Sequence, residues 1–304
     1  MNYPSKVNVV EVGPRDGLQN EATPLSVEQK CKLVDLLSQC GLGVIETGAF
    51  VSPRWVPQMA DTDKVFARIQ RSDSIRYSAL TPNEAGLDAA IDAKVSEIAI
   101  FAAVTESFSR KNLNASIQQS FERFEVVLER AHALRLPVRG YLSCVLGCPF
   151  EGQVEPAIVS QLTRQLLEAG CYEVSLGDTI GTGTAGSMSQ LLDTLLSDGI
   201  SAQRLAVHCH DTYGQALANI VIALQYGVAT IDSSIAGLGG CPYAKGATGN
   251  VATEDVVYLL NGLGINHGID LTKLLTASQY ISQQLDREPQ SRAAKALIAH
   301  QLRK

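Results

Sequence analysis

The chain has 304 residues, enough to bury one large core, and 45% hydrophobic with 18% charged residues is the balance of an ordinary water-soluble globular protein. A net charge of −6 excludes the broad basic surface by which nucleic acids are gripped. No apolar run nears the roughly 20 residues that a bilayer span needs, so neither nucleic acid nor membrane is expected as a partner.

From the amino terminus, Met1–Lys6 leads straight into an apolar run, with no charged and then apolar leader, so a cytoplasmic location is expected. The seven cysteines are odd in number, and Cys144-x-x-x-Cys148 lacks a second pair, which argues against a zinc ribbon. In a reducing compartment most of them are expected to be small buried hydrophobes.

Short β-branched runs then alternate with longer amphipathic stretches. Strands are predicted at Val7–Val12, Val44–Thr47, Arg76–Leu80, Glu97–Ala102, Val138–Ser143, Tyr172–Leu176, Leu205–His208 and Thr230–Ile235. Helices are predicted between them at Ser26–Cys40, Asn83–Ala93, Ile117–Leu134, Glu155–Ala169, Ser187–Ser197 and Tyr213–Tyr226. Gly41, Gly170 and Gly227 each separate a helix from an apolar strand, where glycine supplies the left-handed cap. Eight βα units in series predict a TIM (β/α)₈ barrel. The rival is a doubly wound dinucleotide fold, but the first turn, Gly13-Pro14-Arg15-Asp16-Gly17, is not its glycine fingerprint. Helices at Val251–Leu263, Leu271–Leu285 and Ser291–Lys304 follow the eighth strand, and residues 1–304 read as one catalytic domain.

In such a barrel the chemistry lies at the carboxyl ends of the strands. His208 and His210 stand at i and i+2 at the end of strand seven, so both rings can point to one side and share a metal ion. Two of only five histidines in the chain lie there. Arg15 and Asp16 follow strand one; the pair suits a structural salt bridge, or Asp16 completes a His₂-carboxylate set while Arg15 faces a developing oxyanion. Oxygen and nitrogen donors without thiolate suit Mg²⁺ or Mn²⁺, and also non-haem Fe(II). Glu46 ends strand two, either as a partner for Arg15 or as a functional carboxylate. The segment 237–250 holds five glycines and reads as a mobile lid or anion cradle bearing Cys241. Asn250 closes that segment and either ligates a metal or caps the helix that follows.

Two motifs are more specific. Glu11-Val12-Gly13-Pro14-Arg15-Asp16-Gly17-Leu18-Gln19-Asn20-Glu21 and Ser234-Ile235-Ala236-Gly237-Leu238-Gly239-Gly240-Cys241-Pro242-Tyr243 resemble the opening and the cysteine signature of the 3-hydroxy-3-methylglutaryl-CoA lyases. The resemblance spans nearly the whole chain. It implies cleavage of an acyl-CoA substrate to acetyl-CoA and acetoacetate, as in leucine degradation, on Mg²⁺ or Mn²⁺. It implies Asp16, His208, His210 and Asn250 as ligands, and Arg15, Cys241, Glu46, Asp178 and His208 as catalytic groups. Arg15, Gln19, Ser143 and Lys111 would contact the substrate. Ile235 stands where the signature usually has valine, Arg110 where lysine is common, and no cysteine follows Cys241, so the carboxy-terminal disulfide switch of animal relatives has no counterpart. A homodimer or higher homo-oligomer is expected from an apolar helix face near the carboxy terminus. The alternative within the same superfamily is a Claisen-condensing synthase or aldolase, which shares the Arg-Asp and His-x-His layout. An Fe(II) oxygenase usually has a double-stranded β fold, and a non-catalytic binding protein has no need of the full residue set.

Overall fold

The computed structural model describes residues 3–240 and 249–301. Its strands are β1 (Asn8–Glu11), β2 (Val44–Ala49), β3 (Arg76–Leu80), β4 (Glu97–Ala103), β5 (Val138–Ser143), β6 (Glu173–Asp178), β7 (Leu205–Cys209) and β8 (Thr230–Ser233). They pair in parallel in chain order, and β8 returns to pair with β1 from Asn8↔Thr230 to Glu11↔Ser233, so the expected barrel is closed.

Helices α1 (Val27–Ser38), α2 (Thr62–Arg68) and α3 (Glu84–Asp92) follow the first three strands. Two helices, α4 (Glu106–Leu113) and α5 (Ile117–Ala133), follow β4, and α6 (Pro156–Glu168), α7 (Ala185–Ser197) and α8 (Ala216–Gln225) follow β5, β6 and β7. After β8 come α9 (Thr253–Leu263), α10 (Leu271–Gln284) and α11 (Arg292–Gln301). Among the described residues no helix is long and apolar enough to cross a membrane.

Local chemistry explains the helix ends. Ser26 and Gln29 form a capping box at the start of α1, each side chain satisfying the other residue's backbone N–H. Ser116 with Gln119 does the same for α5. After α6 the chain turns at Gly170, whose φ of 112° belongs to the left-handed region; a side chain there would also collide with the His132 ring.

Strand alternation divides the interior. Val9 joins the large outer core between strands and helices, whereas Val10, Val12 and Val44 form a separate small apolar cluster. The inward positions of later strands are polar instead. Arg139 on β5 donates through Nε to Glu173 at 2.8 Å and through Nη2 and Nη1 to Asp232 at 2.8 and 3.1 Å. Barrel interiors are usually filled with branched apolar side chains, and buried ion pairs add little net stability over well-packed hydrophobes. Such a network inside the barrel therefore points to a site that needs fixed geometry.

Candidate active site

The turn after β1 starts the site. Gly13–Gly17 form a single π-helical turn, with Gly17 N–H bonding Val12 O at 3.1 Å. Turns of this kind recur at functional sites. Both glycines are sterically required. A Cβ on Gly13 would meet Glu11 Oε1 at 2.6 Å and Ile235 Cγ2 at 2.7 Å, and one on Gly17 would meet Ser234 Oγ at 2.5 Å and Leu238 Cβ at 2.8 Å. The turn is thus pressed against the segment after β8. Between its glycines, Arg15 lies buried; its Nε donates to Glu46 Oε2 and its Nη1 to Asp16 Oδ1, both at 2.7 Å.

His208 and His210 project to the same side of β7 as expected, with their Nε2 atoms 3.4 Å apart. Cys209 between them is buried, and desolvation pushes its thiol far above the usual range, so it stays a neutral thiol. Residues 249–251 run beside the end of β7: Asp211 N–H bonds Gly249 O at 2.9 Å, and Val251 N–H bonds Cys209 O at 3.0 Å. This brings Asn250 to Asp16, where its Nδ2 donates to Oδ2 at 2.8 Å and also to Leu238 O at 3.2 Å. Ligation through the amide oxygen would require the opposite amide orientation.

One ligand atom from each of Asp16, His208 and His210 lies within 4.8 Å of the others. The donor set fits a divalent cation. His208 Nδ1 faces the Asp232 carboxylate at 3.2 Å, leaving Nε2 turned to Asp16 Oδ2 at 3.6 Å. Two imidazole nitrogens and a carboxylate oxygen, all able to offer lone pairs, thus converge on one point.

The electrostatics agree. Burial works against the charged form of Asp16, but Arg15 and the two histidines outweigh it and hold the carboxyl well below the usual range. Desolvation would also discharge Arg15, yet Glu46 and Asp16 keep it a guanidinium. Burial, with His208 alongside, lowers His210 to about 4, against the opposing pull of Asp16, so its ring is neutral and able to ligate at pH 7. For His208 the Asp232 hydrogen bond and the Asp16 charge overcome burial and raise the pKa.

A cavity at this mouth is lined by Arg15, Asp16, Gln19, Ser143, His208 and His210 together with Leu80, Phe101, Phe108, Asn112, Tyr141 and Gly240. Six of the residues expected at the site therefore share one space. Glu46 reaches it through Arg15, and Asn250 through Asp16. Asp178 does not line the cavity; its Oδ2 accepts from Gly183 N–H at 3.0 Å, its backbone oxygen accepts from His210 N–H at 3.3 Å, and burial lifts its carboxyl to about 6. Lys111 also lies off the lining, with Nζ 4.1 Å from the centroid of the Phe150 ring. Cys241 lies outside the described residues; the residue before it, Gly240, lines the cavity.

Sequence reasoning missed Asp232, Arg139, Ser175 and Tyr141. Tyr141 packs beneath both guanidiniums, 5.5 Å from Arg15 Cζ and 5.0 Å from Arg139 Cζ. The signal was present as polar residues at a period of two inside apolar strands: Arg139, Tyr141 and Ser143; Glu173 and Ser175; Thr230 and Asp232.

Comparison with known proteins agrees with this geometry. A family model described as HMGL-like matches residues 6–281. A relative from Pseudomonas aeruginosa named 3-hydroxy-3-isohexenylglutaryl-CoA/hydroxy-methylglutaryl-CoA lyase is 57% identical over 299 residues, covering 98% of this chain and 99% of its own. The human mitochondrial hydroxymethylglutaryl-CoA lyase is 54% identical over 293 residues, covering 96% of this chain and 90% of its own. Among solved structures, the Pseudomonas aeruginosa hydroxymethylglutaryl-CoA lyase superposes with a TM-score of 0.96 at 57% identity, covering 99% of this chain and 100% of its own. An HMG-CoA lyase from Acinetobacter baumannii, in complex with coenzyme A and 3-methylmalate, gives 0.92 at 34% identity, covering 97% and 96%. The chain belongs to the HMGL-like family.

Proposed function

We infer that this chain is a carbon–carbon lyase that cleaves 3-hydroxy-3-methylglutaryl-CoA between C2 and C3, yielding acetyl-CoA and acetoacetate. The observation that carries this reading is the meeting of Arg15 with Asp16, His208 and His210 in one cavity, in a chain 57% identical to a relative named for that cleavage.

The reaction is a retro-Claisen cleavage. The C3 hydroxyl loses its proton, the C2–C3 electron pair moves onto the thioester as an enolate, and the enolate is protonated at C2. Asp16, His208, His210 and Asn250 would hold a divalent cation, Mg²⁺ or Mn²⁺, which when bound lowers the pKa of the C3 hydroxyl and fixes the acyl group. The hydroxyl proton is taken up by the Asp16 carboxylate, which has a second oxygen besides the Oδ2 that faces His208 Nε2 at 3.6 Å. Arg15 spends Nε on Glu46 and Nη1 on Asp16, which leaves Nη2 to donate to the thioester oxygen as it becomes negative. Glu46 aims that guanidinium. Cys241, next in the chain after the cavity-lining Gly240, supplies the proton to C2. Gln19 and Ser143 contact the acyl group, Asp178 steadies the backbone of His210, and Lys111 contacts the coenzyme.

A wider substrate range has support of its own. The Pseudomonas aeruginosa relative is also named for a 3-isohexenyl substrate, and the lining here includes Leu80, Phe101, Phe108 and Leu142, apolar groups suited to a longer C3 substituent. Residues 1–304 act as one catalytic unit, with 237–250 as its lid. A cytoplasmic setting is one in which a buried thiol such as that of Cys209 stays reduced. Self-association through the carboxy-terminal helices agrees with Tyr258 of α9, whose side chain is exposed.

The test is to incubate the Mg²⁺- or Mn²⁺-loaded protein with 3-hydroxy-3-methylglutaryl-CoA, and in parallel with 3-hydroxyacyl-CoA analogues, and to assay acetoacetate. No acetoacetate with either metal overturns the reading. Condensation of acetyl-CoA with a keto acid, without cleavage, would assign the chain to the synthases instead.

A further inference from the structure

His208 and Asp232 are paired residues of neighbouring strands, β7 and β8, and both side chains are buried. The Asp232 carboxylate is saturated with donors. Oδ1 accepts from Arg139 Nη2 at 2.8 Å; Oδ2 accepts from Ser175 Oγ at 2.7 Å and Arg139 Nη1 at 3.1 Å, and faces His208 Nδ1 at 3.2 Å. The forked guanidinium fixes the plane of the carboxylate, and Arg139 is itself tied to Glu173 through Nε. A carboxylate held ionised in this way can only accept, so the hydrogen of the last contact must come from the imidazole.

We propose that Asp232, clamped by Arg139 and Ser175, is a positioning residue that keeps the proton of neutral His208 on Nδ1 and so turns the Nε2 lone pair toward Asp16 and His210. The proposal rests on the reading of those three residues as a cation site. The other tautomer would place a hydrogen on Nε2, between the two imidazoles and in the path of the cation. Arg139 of β5 and Ser175 of β6 both donate to the Asp232 carboxylate of β8, and that carboxylate alone faces Nδ1 of His208 on β7. An outer carboxylate that orients a ligating histidine typically changes metal affinity by about 10- to 100-fold.

The experiment uses the full chain with ¹⁵N-labelled histidine, metal-free, at a pH where the rings are neutral, with the His208 resonances assigned by their loss in His208→Gln. The wild-type protein should show hydrogen on Nδ1 and none on Nε2. In Asp232→Asn the amide oxygen should keep the Oδ1 position, where Arg139, which can only donate, makes the shorter of its two bonds. Because the Ser175 hydroxyl can turn to accept, the amide nitrogen should take the Oδ2 position. There it donates to Nδ1, the His208 proton moves to Nε2, and Mn²⁺ affinity measured by calorimetry falls about 10- to 100-fold. A wild-type spectrum with the proton on Nε2 overturns the proposal without any variant, and does so even where Asp232→Asn fails to fold. So does a folded Asp232→Asn whose tautomer is unchanged, whatever its Mn²⁺ affinity. Wild-type protein that binds no Mn²⁺ at all overturns the cation site itself, an outcome separate from the tautomer.

Discussion

Arg15 and Glu46 meet Nε to Oε2 at 2.7 Å with both side chains buried, and the same guanidinium holds Asp16 through a different nitrogen. One planar fork therefore sets the position of two carboxylates. Arg15→Lys keeps the charge but has a single nitrogen to share among Glu46, Asp16 and the substrate. We expect kcat to fall about 10²- to 10³-fold, the cost of losing one oxyanion donor. Steady-state turnover of 3-hydroxy-3-methylglutaryl-CoA checks this, and a wild-type rate would remove Arg15 from the reaction. Glu46→Ala leaves Asp16 as the remaining carboxylate on the buried guanidinium and Nε without its acceptor, and should lower the free energy of unfolding in urea by about 1–3 kcal/mol.

His210→Ala removes one of three converging donors while leaving the strand in place. Mn²⁺ affinity should drop by more than the roughly 10- to 100-fold typical of an outer hydrogen-bond partner. Titration of free Mn²⁺ by electron paramagnetic resonance measures it. Unchanged binding would mean that His210 is not a ligand.

Cys241→Ser puts a hydroxyl of similar size, a far weaker acid, in place of the thiol. Turnover should fall about 10²- to 10⁴-fold, the range for loss of a general acid or base, while Mn²⁺ affinity stays as it was. A variant close to wild type in rate excludes the thiol as the proton source.

Glu254 gives a pH prediction. It is fully buried, accepts from Ala236 N–H at 3.1 Å through each oxygen, and burial raises its carboxyl to about 8. An unfolded glutamate releases its proton near pH 4.3, so from about pH 4.3 to about 8 the folded chain holds the extra proton. Stability from this group is complete below the lower value and is lost as the pH rises through the upper one. Glu254→Gln does not titrate and keeps an oxygen for Ala236. The difference in urea midpoint between variant and wild type should shift in the variant's favour from pH 5 to pH 8; a shift of the opposite sign contradicts the assignment.

What the sequence disclosed followed rarity and periodicity. The strands were legible as β-branched runs, with boundary errors of a few residues: β2 runs on to Ala49 past a register shift between Glu46 and Gly48, and β6 runs on to Asp178. Helix α2 was hidden by its seven-residue length, and α4 by its polarity, with only Phe108 and Ser109 of its residues buried. His208 and His210 were visible because two scarce residues sit at i and i+2. Asp232 stood out only as a polar position at a period of two with Thr230; its role depends on Arg139, 93 residues away, which that pattern does not link to it.

The expected ligands come from the turn after β1, from β7 and its end, and from the segment beyond β8, so they straddle the seam where the first strand meets the last. In a chain emerging from the ribosome Asp16 precedes His208, the next of these ligands, by 192 residues. No partial barrel can assemble the set, and a cation bound there would act as a clasp across the closure. Metal uptake at that site would double as a sign that the ring is complete, and chelation should then loosen first the place where its two ends were joined.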